Sequence, residues 1–417
     1  MSTPPPPGLP WKAVGIGLAI MTLEGYDLVA FGATTPLLLQ HQPWHLSLAT
    51  LGMLGSVTPV GMLIGALLVG QFTDRHGRRG TTLVSIGLVA LGMFASGFAA
   101  DPAIFGAGRL VVGLGVGAIF PALAPLVFEL APAKRKNLTS AIVLCGNTVG
   151  GSLAAVVANT LLHGNFRPEY LIGGAAAVVL LPATLRWLPE SPAYRGKTAR
   201  AANPDRDSGT RLVLRPPYLG TTILFCGMVI CSFLLIFGMN TWLPQLMQAA
   251  RYPLGSSLTF LMLLNLGATI GGLGMAVVAD RVGSKGPVVA SFLVAGIAIV
   301  ALSVRTPQVV LYATVLVGGA GVLGVQGLVN VYLSRVYPVH ARASAIGVAL
   351  GVGRIGAIAG PTLGGWILAA GFAPRWNFVL FALPALLGAL LAIANRAKSP
   401  LRATEALPDP RPAEPTR

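Results

Sequence analysis

Apolar residues in this chain run in long stretches separated by short polar turns, rather than at the spacing of one helix face or one side of a strand. At roughly 20 apolar residues per crossing of a bilayer core about 30 Å thick, the pattern predicts twelve transmembrane helices. They lie near residues 11–36, 50–73, 80–99, 102–127, 137–161, 169–188, 218–242, 257–279, 286–304, 308–332, 341–368 and 375–395. The first stretch, Trp11 to Pro36, is too long for a signal-peptide core, has no small-residue cleavage site, and contains Glu24 and Asp27, so it reads as a retained helix. Residues 1–10 are proline-rich and 398–417 are polar, and both are expected to be disordered. One long loop, 189–217, separates two six-helix bundles, 11–188 and 218–397, giving an all-α membrane protein of two pseudo-symmetric halves.

An internal repeat supports that division. Asp74-Arg75-His76-Gly77-Arg78-Arg79-Gly80 recurs as Asp280-Arg281-Val282-Gly283-Ser284-Lys285-Gly286, and Pro132 with Lys136 recurs at the same offset as Pro338 with Arg342. Each copy holds an even number of crossings, so the copies run parallel about an axis along the membrane normal.

Composition agrees: the 417 residues are 54% hydrophobic and only 10% charged, with mean hydropathy +0.74, against about 25% charged in soluble chains. The net charge of +16 needs no nucleic-acid partner. With both termini inside, Arg167, Arg251, Arg305 and Arg375 lie outside, Arg109 and Arg354 lie within helices, and every other Lys and Arg is cytoplasmic, as the positive-inside rule requires. Those basic loops meet anionic lipid. Cys145, Cys226 and Cys231 fall in apolar runs and suggest neither a disulfide framework nor a metal site, and the five histidines fall in predicted loops, leaving carboxylates as proton carriers.

Gly70-Gln71-Phe72-Thr73-Asp74-Arg75-His76-Gly77-Arg78-Arg79 resembles the loop signature between the second and third helices of the major facilitator superfamily. Arg109 followed by Gly113, Gly115 and Gly117 looks like its fourth-helix motif, and Pro189-Glu190-Ser191-Pro192 like the segment after its sixth helix. Within that superfamily the chain is most similar to bacterial aromatic acid:proton symporters, through Glu24-Gly25-Tyr26-Asp27, Asn240-Thr241-Trp242-Leu243-Pro244 and Ala349-Leu350-Gly351-Val352-Gly353-Arg354-Ile355-Gly356. That family more often has Asp where Glu24 stands. The resemblance implies the major facilitator fold, a multi-pass bacterial inner-membrane location with cytoplasmic termini, and proton-coupled import of an aromatic acid such as benzoate or a hydroxybenzoate by alternating access.

Charges inside a bilayer cost about 2.5–3.5 kcal/mol each even on an insertion scale, so four helix residues stand out: Glu24, Asp27, Arg109 and Arg354. Counting about 1.5 Å per residue puts Glu24 and Arg354 roughly 18 and 17 Å from the cytoplasmic face and Asp27 about 22 Å up, with Arg109 about 10 Å below the outer face. These depths pair Asp27 with Arg109, and Glu24 with Arg354 or its ligand. Glu24 and Asp27, three apart on one face, repel when both are ionised, which suits a proton carrier; the alternative is a helix-holding salt bridge. Arg354 offers a planar fork to a substrate carboxylate, or a structural pair, while Arg109 fits coupling better than selection.

Tyr26, Asn240, Trp242 and Gln326 are expected to line the substrate cavity, with Asn147, Asn265, Asn330 and Phe31 as further candidates; each amide is equally readable as interhelical glue. Asp74, Arg75, Gly77, Arg78 and Arg79, extended by Glu129 and Arg135, form a candidate gating loop or a topology signal alone. Gly356, Gly360 and Gly364, and likewise Gly347 and Gly351, recur every four residues and predict close helix packing or hinges.

The expected partners are a small organic acid, protons and lipid, with no cofactor, no metal, no nucleic acid and the chain acting as a monomer. Another organic anion, such as a sugar acid, dicarboxylate or sialic-type acid, is the near alternative. The fifth helix lacks the proline expected of drug antiporters, which argues against export. A membrane-embedded enzyme lacks a motif here, a non-transporting sensor would bind without accumulating, and no Walker sequence supports ATP drive.

Overall fold

The computed structural model describes residues 11–130, 136–162, 164–191, 211–304 and 306–395. Nearly all of them are helical, because a spanning segment that cannot reach water must satisfy its backbone groups within itself. Helix α1 is Trp11–Gln40. The helical run Leu48–Gly97 breaks at Gly77, where φ is +76°, into α2 (48–76) and α3 (78–97). Then follow α4 Pro102–Leu130, α5 Lys136–Leu161, α6 Arg167–Trp187, α7 Leu219–Ala249 and α8 Leu254–Val282. The last four are α9 Lys285–Ala301, α10 Gln308–Val336 with a break at Leu323, α11 Val339–Ala369 and α12 Pro374–Ala394.

The fifty-residue run is a hairpin, since both its arms lie against α4: Gly61 and Gly65 meet the backbone at Leu110 and Leu114, while Gly92 meets Gly108 and Val112. With that run counted twice and the shorter apolar α9 included, the described residues make twelve crossings. Helix α9, 17 residues, is about 26 Å long at the usual rise, just short of the core thickness.

All the predicted segments are present, and most extend beyond their predicted ends. Helix α7 continues past Trp242 through Pro244 to Ala249. Pro244 removes the hydrogen bond to the carbonyl four residues earlier, that of Asn240, and this carbonyl faces Gly32 of α1. His76 and His340 lie in helical ends rather than loops. Of the predicted linker, residues 192–210 lie outside the described residues, as do the two termini called disordered. Its last part is packed: Val213 is buried and its carbonyl accepts from Thr222 Oγ1 at 2.6 Å.

The halves meet through α1 on α7, α2 on α11 and α5 on α8. The contacts sit from mid-depth toward the end that carries the 41–47 loop: Thr269 Oγ1 donating to Thr148 Oγ1 at 2.6 Å near the middle, then Gly32 against Asn240, Gly52 against Pro361, Ser56 Oγ donating to Ile358 O at 2.6 Å, and Gly255 against Asn159. Toward the α2–α3 turn the halves diverge, leaving Phe120 and Phe128 exposed and open space beside Gly327, Gly347 and Gly351. Gly356, Gly360 and Gly364 do receive α7, against Ile230, Leu234 and Trp242, but the expected close contact at Gly347 and Gly351 is not made because they face that opening.

Candidate functional site

A cavity of about 380 Å³ lies between the halves, within the range of about 300–1,000 Å³ common for small-molecule sites. Its charged wall is Glu24 and Asp27 from α1, Arg109 from α4 and Arg354 from α11; its amides are Asn147, Gln326 and Asn330; its rings are Phe31, Phe120, Phe233 and Phe237. Gly25 sets the acidic face toward the cavity. A Cβ there would meet the Asn147 backbone, so only glycine lets α1 seat this closely on α5.

Asp27 and Arg109, each 1% exposed, form a two-pronged ion pair: Nη1 donates to Oδ1 at 2.6 Å and Nη2 to Oδ2 at 3.2 Å. The Arg109 guanidinium also lies 5.6 Å from the centre of the Tyr170 ring. The pairing expected from depth alone is therefore made. Glu24 and Arg354 interact electrostatically across the cavity but form no ion pair. Glu24 Oε2 has no hydrogen-bond partner among the described residues. Among the described residues Arg354 Nη1 reaches Met62 Sδ, at 3.6 Å, and the guanidinium lies 5.6 Å from the Phe233 ring centre. Gln326 Oε1 accepts from Ser232 Oγ at 2.7 Å, and its Nε2 donates to Asn330 Oδ1 at 3.3 Å.

Four candidate lining residues, Tyr26, Trp242, Asn240 and Asn265, are placed elsewhere. Tyr26 sits about 100° around the helix from Asp27, and its hydroxyl donates to the Glu169 carbonyl on α6 at 2.9 Å. Trp242 is fully buried against Gly364 and Gly365, its Nε1 donating to Pro361 O at 2.8 Å, while its neighbour Thr241 reaches the cavity. Asn240 is glue: its Nδ2 donates to Ile236 O, and its Oδ1 accepts from Asn265 Nδ2 at 3.3 Å. Phe120, Phe233 and Phe237 are lining rings the sequence reading missed; the last two stand one turn apart on α7, a spacing lost in a helix that is apolar all round.

Glu169 was missed too. It lies in the first turn of α6, fully buried, and neither carboxyl oxygen has a hydrogen-bond partner among the described residues. Sequence reading places it at a helix boundary, where an acid is ordinary. A helix N-terminus favours a negative charge by about 0.3–2 kcal/mol, but burying an unpaired carboxylate costs several kcal/mol, so burial dominates.

At the other end, Arg78 pairs with Glu129, which also accepts from Ser191 Oγ. Glu190 Oε1 accepts from the backbone N–H groups of Arg78 at 3.0 Å and Arg79 at 3.2 Å, closing the start of α3 as an N-cap would. Gly77 carries the left-handed turn, and the Glu190 carboxylate occupies the space a Cβ would need. Arg79 donates to Leu185 O. Asp74 and Arg75 are exposed, and Arg135 lies outside the described residues. The described Arg78–Glu129–Glu190 contacts are all within the first half; the second half has its own pair, Asp280 with Arg335 at 2.7 Å.

Comparison with known proteins agrees with this architecture. The Major Facilitator Superfamily description matches residues 17–357 and 266–416. The gentisate transporter of Corynebacterium glutamicum is 35% identical over 91% of this chain and 86% of its own length. The benzoate transport protein of Acinetobacter baylyi is 30% identical over 91% and 88%. The solved structure of a D-xylose-proton symporter superposes with a TM-score of 0.77 at 18% identity, covering 94% of this chain and all of that one. Two six-helix halves around a charged central cavity, a superfamily match along nearly the whole chain, and relatives that carry aromatic acids make this chain a member of the major facilitator superfamily, a membrane transporter and not an enzyme.

Proposed function

We propose that this chain imports a small organic acid, an aromatic carboxylate of the benzoate, hydroxybenzoate or gentisate kind, together with protons, by opening the central cavity to one side of the membrane at a time. The observation that carries the reading is Arg354, a guanidinium facing a ring-lined cavity that among the described residues contacts a thioether and an aromatic face and forms no ion pair. A permanent cation in a low dielectric gains most from a carboxylate that presents two oxygens. Phe31, Phe233 and Phe237 give an aromatic body apolar contact, and Gln326 and Asn330 suit a ring hydroxyl. The names of the relatives support the same substrate class.

In this reading the basic loops put the α2–α3 turn and both termini in the cytoplasm of a bacterial inner membrane, so the conformation described is open inward. Asp27 carries the coupled proton: protonating it cancels the charge that holds Arg109 and loosens α1 from α4. Glu24 answers the charge of Arg354 while the cavity is empty. The loop of Asp74, Arg75, Gly77, Arg78 and Arg79 with Glu129 acts as the latch that remakes contacts as the inner end closes. The working unit is a monomer.

The test is uptake of labelled gentisate, benzoate and 4-hydroxybenzoate by cells producing the protein, with and without a protonophore. Protonophore-sensitive accumulation is expected for at least one of them. Accumulation of a sugar acid or dicarboxylate instead would overturn the substrate class, and accumulation untouched by the protonophore would overturn proton coupling.

A further inference from the structure

Glu169 has no part in the cycle just described, yet it is a fully buried carboxyl whose sequence neighbour Tyr170 packs against Arg109 of the coupling pair. It stands in the first turn of α6, at the end where the halves are closed, so it lies between that face and Asp27. From α1, the Tyr26 hydroxyl is the side-chain donor nearest its carboxyl and currently donates to its main-chain carbonyl at 2.9 Å. Asp27, the next residue on α1, acts electrostatically on Tyr26 and Tyr170. From α4, Arg109 stacks on Tyr170, the neighbour of Glu169, whose hydroxyl is bonded to Thr34 Oγ1 at 2.7 Å. Helix α3 brings Met93, Phe94 and Ser96 to this region, and its charged residues, Arg78 and Arg79, lie at the opposite end. The one charged residue of α5, Lys136, is likewise at its far end. On α6 itself, Arg167 is turned toward Ala99 O at 3.3 Å.

Two carboxyls, Asp27 and Glu169, are thus linked through Tyr26 and Tyr170, and Arg109 is paired with the first of them. In a medium where net charge is costly, a carboxyl without a cation holds its proton. In the conformation described Arg109 is committed to Asp27 through both prongs, which leaves the proton on Glu169. We propose that Glu169 is a second proton-binding residue of the transport cycle, loaded from the closed side, whose proton passes to Asp27 when the Asp27–Arg109 pair opens. The proton leaves a Glu169 oxygen and ends on an Asp27 oxygen, and the Tyr26 hydroxyl turns from the main-chain carbonyl to the Glu169 carboxylate. The inference rests on proton-coupled transport being correct.

The experiment uses the full chain in liposomes and the acid that the wild type accumulates. If the wild type itself shows no protonophore-sensitive uptake, the underlying reading fails, whatever Glu169 does. Given that uptake, Glu169→Gln, which keeps the shape of the protonated acid but cannot release a proton, is expected to retain counterflow exchange and lose gradient-driven accumulation to the level of protonophore-treated wild type. Wild-type accumulation by Glu169→Gln would overturn the proposal, since a carboxyl that only packs tolerates its amide. Should that variant fail to reach the membrane, the infrared carbonyl band of a protonated carboxyl in purified wild type and Tyr26→Phe decides. A band displaced by losing the nearby hydroxyl supports a protonated Glu169, and an undisplaced or absent band overturns it.

Discussion

Removing Arg109 tests the centre of the site most directly. Asp27 and Arg109 are both 1% exposed and joined by two charge-assisted hydrogen bonds of 2.6 and 3.2 Å, so neither has water to fall back on. Breaking a buried pair from one side leaves the partner uncompensated, which costs about 3–5 kcal/mol; replacing both sides with neutral groups costs far less. Arg109→Gln and Asp27→Asn are therefore each expected to lower the stability of the detergent-purified protein by a few kcal/mol. The double variant, whose two amides can bond to each other, is expected to recover about 2–3 kcal/mol of the summed loss. Thermal unfolding followed by tryptophan fluorescence, with monodispersity as a check, measures the cycle. Losses that simply add in the double variant would refute the claim that this pair is energetically coupled, and with it the idea that protonating Asp27 releases α4.

Arg354→Ala is expected to weaken binding of the transported carboxylate roughly 100-fold or more, two charge-assisted hydrogen bonds at about 1.5–3 kcal/mol each being lost, with Lys a poor rescue; near-normal affinity in a binding titration would remove it as the anion anchor. Gly32→Ala pushes a methyl into the Asn240 backbone between opposite halves and should open the 41–47 end, read as faster hydrogen exchange in the 41–47 and 250–253 loops, whereas Gly25→Ala, which clashes with Asn147 within one half, should lower expression. Glu190→Gln weakens the acceptor for two N–H groups at the start of α3, an expected loss of about 1 kcal/mol, seen as faster exchange at residues 78–80 with substrate binding unchanged.

The helices were legible because an apolar run long enough to span lipid leaves the backbone no other option, and the depth count paired Asp27 with Arg109 because rise per residue is nearly constant. Azimuth was harder to read. In helices that are apolar all round no moment marks which side faces a ligand, so Tyr26, Asn240 and Trp242 were assigned to the cavity by residue type, while Phe233 and Phe237, which do line it, looked like ordinary core. Glycines failed similarly: the four-residue repeat of Gly356, Gly360 and Gly364 meets α7, and the identical spacing of Gly347 and Gly351 meets open space, because spacing defines a face and not its occupant. Glu169 was hidden by position, since its burial depends on α1 and α3 closing over a helix end.

The duplicated loop shows how much of a repeat survives when only its backbone is retained. Gly77 and Gly283 both take a left-handed φ, +76° and +91°, so both copies make the same sharp reversal, which a side chain would strain. The charges around them have diverged. The offset that maps Asp74 onto Asp280 also maps Glu129 onto Arg335, so the acid of the Arg78–Glu129 pair in the first half is replaced by a cation in the second, where Asp280 supplies the acid. The first copy is reinforced by Glu190 and Ser191, with side chains of the pair only 25% and 28% exposed; in the second, Asp280 is 76% exposed and open space surrounds Gly283. An exposed pair of that kind contributes about 0–1 kcal/mol, and the second loop is held instead by Lys285, whose Nζ donates to the carbonyls of Ile393 at 2.9 Å and Asn395 at 2.7 Å at the end of α12. The two halves thus keep one turn and hold it by different means, the first by a carboxylate that closes the start of α3 and the second by a lysine that reaches the end of α12.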